Sequence, residues 1–381
     1  MPMMDLDNFE PPARIIVIGV GGAGNNAVNR MMDENIENVE FYVMNTDKQA
    51  LATSKAPNRL VLGEAITKGL GAGGDPAIGK RAAEASKDDI REIVEGADLV
   101  FIAAGMGGGT GTGAAPVVAS ICKEAGALTI AIVTRPFTFE GKTRIANSVT
   151  GLSDLKDAVD SIIIVSNDKL LMAAGKAPIS QAFSDSDKVL AQSVKTVTDL
   201  ILLPGLINMD FADVERTLRN SGIALIGFGM GTGEKKAEEA AENAINSPLL
   251  EASISGARKA ICSVTCGTNV SLYEAEECVQ HIIDNAGAAV DVKFGVSINE
   301  NLTDCILVSV IASNFTEEYD FTSLPAYGRP RRESIGFSVE STKANAAKEE
   351  GKTSSSEPAE VPVQEQILPD FLKGMINEGE E

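Results

Sequence analysis

The chain has 381 residues, 44% of them hydrophobic, with five cysteines, one histidine and no tryptophan. That length accommodates two domains and a tail, and the net charge of −21 argues against nucleic acid or an anionic membrane surface as the main partner. The sequence has no uninterrupted apolar run long enough to span a bilayer, and its acidic start, Met1-Pro2-Met3-Met4-Asp5, does not read as a signal peptide.

The first predicted element is a buried strand, Arg14-Ile15-Ile16-Val17-Ile18. It runs straight into Gly19-Val20-Gly21-Gly22-Ala23-Gly24-Asn25-Asn26. A strand, then G-x-G-x-x-G, then a helix is the pattern of a dinucleotide-binding turn. A second strand over 39–44 ends at Asn45-Thr46-Asp47. Asp47 falls where a Rossmann acid would meet a ribose. One reading is therefore an NAD-dependent oxidoreductase. Against it stands the only histidine, His281, which lies far downstream.

A further loop, Gly69-Leu70-Gly71-Ala72-Gly73-Gly74-Asp75-Pro76, precedes a helix predicted over 77–94. The apolar strand over 97–104 then leads to Gly105-Met106-Gly107-Gly108-Gly109-Thr110-Gly111-Thr112-Gly113. A helix follows over 114–122, with Pro116 in its first turn. A glycine-rich strand-to-helix turn lets several N–H groups face one anion, and the helix N-terminus adds a positive dipole end. Thr110 and Thr112 offer hydroxyls to phosphate. The alternative is a flexible loop. Three glycine loops exceed what one pyrophosphate needs and suit a longer phosphate chain.

A strand over 128–133 leads to Thr134-Arg135-Pro136-Phe137-Thr138-Phe139-Glu140-Gly141-Lys142-Thr143-Arg144. Gly141-Lys142-Thr143 is not the end of a Walker A loop, because Pro136 stands where that loop needs glycine. Glu140 and Arg144 are four apart on the following helix. They read as a surface ion pair worth a few tenths of a kcal/mol or, preferred beside three phosphate loops, as ligand contacts. The strand over 161–165 ends at Ser166-Asn167-Asp168-Lys169, which is not the guanine motif of Ras-like GTPases. Alternating strands and helices over 14–165 predict a parallel sheet covered on both faces.

A long helix over 183–203 follows, with Val189, Leu190, Val194, Val197, Leu200 and Ile201 at helical spacing. Phe183 and Asp187 lie one turn apart near its start. They fit packing and first-turn charge compensation. They equally fit an aromatic face and a carboxylate accepting two N–H bonds from guanine. Spacing leaves both open. Pro204-Gly205 stops the helix, and Asn208-Met209-Asp210-Phe211-Ala212-Asp213 follows. Asp210 can N-cap a helix with Asp213 in its first turn. The same pair can also orient a water or a cation.

Residues 221–315 read as β-α-β-α-β-β, a small α+β unit with one helical layer and no glycine loop. Cys122, Cys262, Cys266, Cys278 and Cys305 fit structural thiols of a reducing cytoplasm, and Cys262-x-x-x-Cys266 lacks zinc-ligand spacing. Beyond 315 the chain turns polar and rich in Pro, Ser and Glu, and is not expected to fold. A short apolar stretch, Ile367-Leu368-Pro369-Asp370-Phe371-Leu372-Lys373, then reads as a docking peptide.

Together these pieces resemble the FtsZ family of cell-division GTPases in the tubulin superfamily. Gly107-Gly108-Gly109-Thr110-Gly111-Thr112-Gly113 is similar to that superfamily's signature loop, and the resemblance runs in order from Arg14 to Phe315. Also specific are Gly21 to Asn29, Asn45-Thr46-Asp47, Thr134-Arg135-Pro136-Phe137, Phe139-Glu140-Gly141 and Asn208 to Asp213. Small departures are Ala23, where many members have glycine, and Ser166, where many have proline. The tail carries a single basic residue, Lys373, before turning acidic.

The resemblance implies a Rossmann-like α/β GTPase domain with a parallel sheet (14–177) and a long central helix (178–204). It implies a loop and helix acting on a neighbouring subunit (205–220) and a smaller α+β C-terminal domain (221–315). An N-terminal extension (1–13), a disordered acidic linker (316–366) and a partner-binding peptide (367–381) complete the chain. GTP or GDP with Mg²⁺ would be cradled by Gly21, Gly22, Ala23, Gly24, Asn25, Asn26 and by Gly107, Gly108, Gly109, Thr110, Gly111, Thr112, Gly113. Ala72 and Gly73 would lie by the γ-phosphate. Glu140 and Arg144 would hold the ribose side with Asn167 nearby, and Phe183 and Asp187 would meet guanine. No residue is assigned as a metal ligand. Asn208, Asp210 and Asp213 would complete the next subunit's site in a head-to-tail filament and help position the attacking water. The implied setting is the cytoplasmic division ring at mid-cell. Membrane-tethering and regulatory division proteins would bind Ile367 to Lys373, with no direct membrane insertion and no nucleic acid.

Overall fold

The computed structural model describes residues 13–174, 178–203, 205–287 and 290–315. Both expected terminal segments, apart from residue 13, lie outside them, as does the docking peptide. The chain opens with strand β1 (Ile15–Val20), helix α1 (Gly21–Asp33) and strand β2 (Glu40–Asn45). Then come α2 (Lys48–Ala52), β3 (Asn58–Val61), α3 (Glu64–Thr67), α4 (Pro76–Ala85) and α5 (Lys87–Val94). The single helix expected over 77–94 is thus two helices, broken at Ser86, whose hydroxyl accepts the N–H of Gly63 (3.0 Å).

β4 (Leu99–Gly105), α6 (Thr110–Glu124), β5 (Leu128–Arg135), α7 (Lys142–Ala158) and β6 (Ser161–Ser166) continue the alternation. β1 to β6 lie parallel in the order β3-β2-β1-β4-β5-β6. That order reverses direction between β1 and β4, the switch point where ligands of doubly wound sheets bind. Alternate side chains explain the coverage on both faces. Ile15 and Val17 enter one buried cluster, while Ile16, Ile18 and Val20 enter another. Each such fully buried side chain contributes about 1.5–3 kcal/mol.

α6 begins at Thr110, earlier than expected, so Pro116 lies inside the helix rather than in its first turn. Gly111 and Gly113 lie in the helix at positions where no side chain would fit. A Cβ on Gly113 would sit 1.9 Å from the carbonyl oxygen of Pro76 in α4.

α8 (Asn167–Ala174) leads to the 24-residue α9 (Ile179–Leu202). Val189, Leu190, Val194 and Val197 are buried in the same cluster as Ile15 and Val17. α10 (Phe211–Leu218) follows, then β7 (Gly222–Thr232), α11 (Lys236–Ile245), β8 (Ala257–Cys266), α12 (Leu272–Ala286), β9 (Asp291–Ile298) and β10 (Cys305–Phe315). The β-α-β-α-β-β order agrees with expectation. Its strands do not form a sheet of their own: β7 pairs parallel with β6 through Ser161 to Ile163, giving one ten-stranded sheet. β10 lies antiparallel between β7 and β8, and β9 runs parallel to β8 at the edge. All five cysteines are free and buried. Among the described residues no helix is long and apolar enough to cross a membrane.

Candidate active site

α1 and α6 both start at the carboxyl ends of their strands, on either side of the switch point. Neither N-terminus is capped by a side chain, so the first N–H groups of each helix are left for a ligand. Between them lies a cavity of about 360 Å³. Its lining includes Gly22, Ala23 and Asn26 from α1 and Gly108, Gly109, Thr110 and Gly111 from the α6 turn. Glu140, Arg144, Asn167, Phe183 and Asp187 complete it from the other side. Twelve residues named from the sequence thus converge on one space.

Others shape that space without lining it. Gly21 has a φ of +74°, and a Cβ there would lie 2.8 Å from the amide nitrogen of Gly111, so the two turns touch backbone to backbone. Gly24 lies against β4. The Asn25 amide, in the orientation that satisfies its neighbours, donates to the carbonyls of Gly21 (2.8 Å) and Gly19 (3.1 Å). Gly107, at φ +105°, donates its N–H to Thr112 Oγ1 (2.8 Å). The Thr112 hydroxyl thus braces the turn, and Thr112 and Gly113 face a wider cleft between α4, α6 and α7. Thr110 Oγ1 shares a hydrogen bond with Thr46 Oγ1 (2.7 Å). Ala72 abuts Gly109, and Gly73 lies in open space beside it at φ +59°. The third loop therefore backs the second.

Glu140 is not on the helix with Arg144. It closes a 3₁₀ turn, and Gly141 at φ +103° separates the two. Their ion pair forms nonetheless, and Glu140 also accepts the N–H of Phe137 (2.9 Å). Phe183 is 44% exposed and meets the buried Phe137 edge-on, with ring centroids 5.0 Å apart. Its side chain lines the cavity. Burial pushes the Asp187 carboxyl up to about 7, opposed by the charge of Arg30. Ser186 also lines the cavity and donates to Asn167 Oδ1 (2.8 Å). Ser186 is an addition to the sequence reading, and Gly105, Met106, Thr134 and Pro136, quoted there only within motifs, line the cavity as well. Ser186 was legible as the position three after Phe183, on the same helix face.

Asn208, Asp210 and Asp213 lie at the other end of α9. The run from Asp187 to Leu202 alone spans about 22 Å. Asp210 caps α10, accepting the Asp213 N–H (2.9 Å). Asn208 Oδ1 accepts the Gly205 N–H (2.5 Å). The cavity and the acidic loop therefore occupy opposite ends of one molecule. Asp47 caps α2 by accepting from Gln49 and Ala50 and is not among the residues lining the cavity, so the support it gave to a ribose-binding Rossmann site falls away.

The Tubulin/FtsZ family GTPase domain matches residues 14–175, and the FtsZ family C-terminal domain matches 222–316. FtsZ of M. jannaschii, solved as an empty dimer, is 43% identical over 79% of this chain and 88% of its own, with a TM-score of 0.75. A point mutant of that FtsZ is 42% identical over 80% and 91%, with a TM-score of 0.76. CetZ2 from Haloferax volcanii, solved as a GTPγS-bound protofilament, shares the fold at 22% identity over 78% and 92%, with a TM-score of 0.67. Nothing in these likenesses favours a nicotinamide enzyme, and the chain belongs to the tubulin/FtsZ family, a GTPase domain followed by the FtsZ C-terminal domain.

Proposed function

We propose that this GTPase assembles head to tail, each nucleotide site being completed by the acidic loop of the next subunit. The observation that carries it is the separation of parts: uncapped helix N-termini at one end of α9, Asp210 and Asp213 at the other. Such a heterologous contact does not close on itself and extends into a filament. In this reading Gly21–Asn26 and Gly107–Gly111 form the phosphate cradle, with Thr112 and Gly113 supporting the turn from behind and Ala72 and Gly73 by the γ-phosphate. Glu140, Arg144 and Asn167 hold the sugar side. Phe183 stacks on guanine and Asp187 accepts its two edge N–H groups.

Mg²⁺ would arrive on the phosphates with most of its water retained, where it would neutralise charge during phosphoryl transfer. Asn208, Asp210 and Asp213 act in trans by orienting the attacking water. The same reading gives the protein a place in a cytoplasmic division ring, with tethering and regulatory proteins bound through Ile367 to Lys373.

Two chains per site make GTP turnover per subunit rise steeply with protein concentration. Phosphate release measured from dilute to concentrated protein tests this, and a flat rate per subunit overturns it.

A further inference from the structure

β9 is the outer edge of the sheet, and the acidic loop is docked onto it. The N–H groups of Leu206 and Ile207 both reach the carbonyl of Val296, and Val296 returns an N–H to Ile207 (2.7, 3.2 and 3.0 Å). A side chain on Gly205 would collide with that same carbonyl, at 2.6 Å. Three residues back along β9 stands Lys293, the register partner of Ile261 on β8. Ile261 is buried in the cluster that also holds Val214 and Leu218 of α10, so Lys293 shares the face on which α10 packs. Its ammonium lies 3.6 Å from Asp213 Oδ1, and both side chains are 34% exposed. An ion pair this open adds little to stability. Its value lies in position.

We propose that Lys293 is a positioning residue for Asp213. Resting on the trans-acting role of the acidic loop, it fixes the direction of the Asp213 carboxylate before a neighbour arrives. It also offsets one of the two negative charges the loop carries toward a triphosphate. The backbone bridge sets the height of the loop on β9; Lys293 sets the aim of its carboxylate.

The test compares Lys293→Met, Lys293→Arg and Asp213→Asn in the full chain. Three quantities are read: GTP affinity of dilute protein, the fraction pelleted with GTP, and phosphate release per pelleted subunit. K293M is expected to bind GTP and pellet as the parent does while releasing phosphate about five- to tenfold more slowly, since small misplacements of an orienting group are costly. K293R is expected to restore most of the rate, and K293M is expected to add nothing to D213N. An unchanged rate in K293M, with D213N inactive, overturns the Lys293 proposal alone. So does loss of pelleting in both Lys293 variants, or failure of arginine to rescue. Normal hydrolysis by D213N overturns the trans-acting reading itself.

Discussion

At Asp187 two demands conflict. In the proposed function the guanine edge requires an ionised carboxylate, yet burial raises this carboxyl to about 7. GTP binding by dilute protein is therefore expected to weaken as the pH falls below about 7, approaching tenfold per pH unit. Without nucleotide the sign reverses. A folded-state value above the unfolded 3.8 means a stability contribution present below about pH 4 and lost as the pH rises through about 7. Titrating GTP affinity and the apo melting temperature from pH 5.5 to 8.5 checks both slopes. Asp187→Asn should weaken GTP at least tenfold and improve xanthosine triphosphate, whose 2-oxo group accepts the amide N–H, because a polar pocket rejects a mismatched edge. On spacing alone Phe183 and Asp187 stay ambiguous; the sequence does not reveal that Phe183 packs at 79° to the buried Phe137 ring and stays 44% exposed at the cavity. Gly107 is a second sensitive position. At φ +105°, with the Arg144 carbonyl 2.8 Å from any added Cβ, Gly107→Ala should cost about 1–2 kcal/mol, read as a lower urea midpoint.

Elements were legible where a local pattern makes them. The turns before α1 and α6 combine a fully buried strand, glycines and a helix start within a few residues. Nothing remote is needed to recognise them. β3 escapes the sequence because Asn58-Arg59-Leu60-Val61 is half exposed and carries no apolar run. The break at Ser86 escapes it because the hydrogen bond that favours it comes from Gly63. Pro116 marks no helix start in this chain, because α6 already begins at Thr110 with Gly111 and Gly113 where no side chain would fit. In the C-terminal unit one clamp joins three elements: Lys236 of α11 meets Glu274 of α12 and Asp304 before β10, both at 2.7 Å. The hydrogen bond from Lys236, then those from Ser271, hold the Glu274 carboxyl down at about 2. A depressed value contributes stability above about pH 4.5 that is lost as the pH falls through about 2. Denaturant midpoints of the parent should drop over that window, and Glu274→Gln should show a shallower drop.

On the scale of the molecule, the sheet does not respect the division seen in the sequence. β6 and β7 pair through only three residues on each side, a contact no periodicity discloses because α8, α9 and α10 intervene. The buried cluster around α9 nevertheless runs from Ile15 and Phe101 to Ile261 and Ile311. Asp160, only 1% exposed, accepts N–H groups from Thr129 (3.0 Å) and Asn220 (3.3 Å), tying the end of the acidic-loop helix to the GTPase strands. A frame this continuous holds the cavity and the acidic loop at a fixed spacing, as the proposed head-to-tail repeat requires. It also allows a complementation experiment. Asp187→Asn spoils the nucleotide cavity but keeps the acidic loop; Asp213→Asn does the reverse. Each alone should hydrolyse GTP slowly. In an equal mixture, a cavity from the Asp213 variant meets a loop from the Asp187 variant at about one interface in four, if the two copolymerise at random through the open-ended contact. Phosphate release should then recover to about a quarter of the parent rate. If the loop served its own subunit's cavity, no mixture of the two variants would exceed the average of its parts.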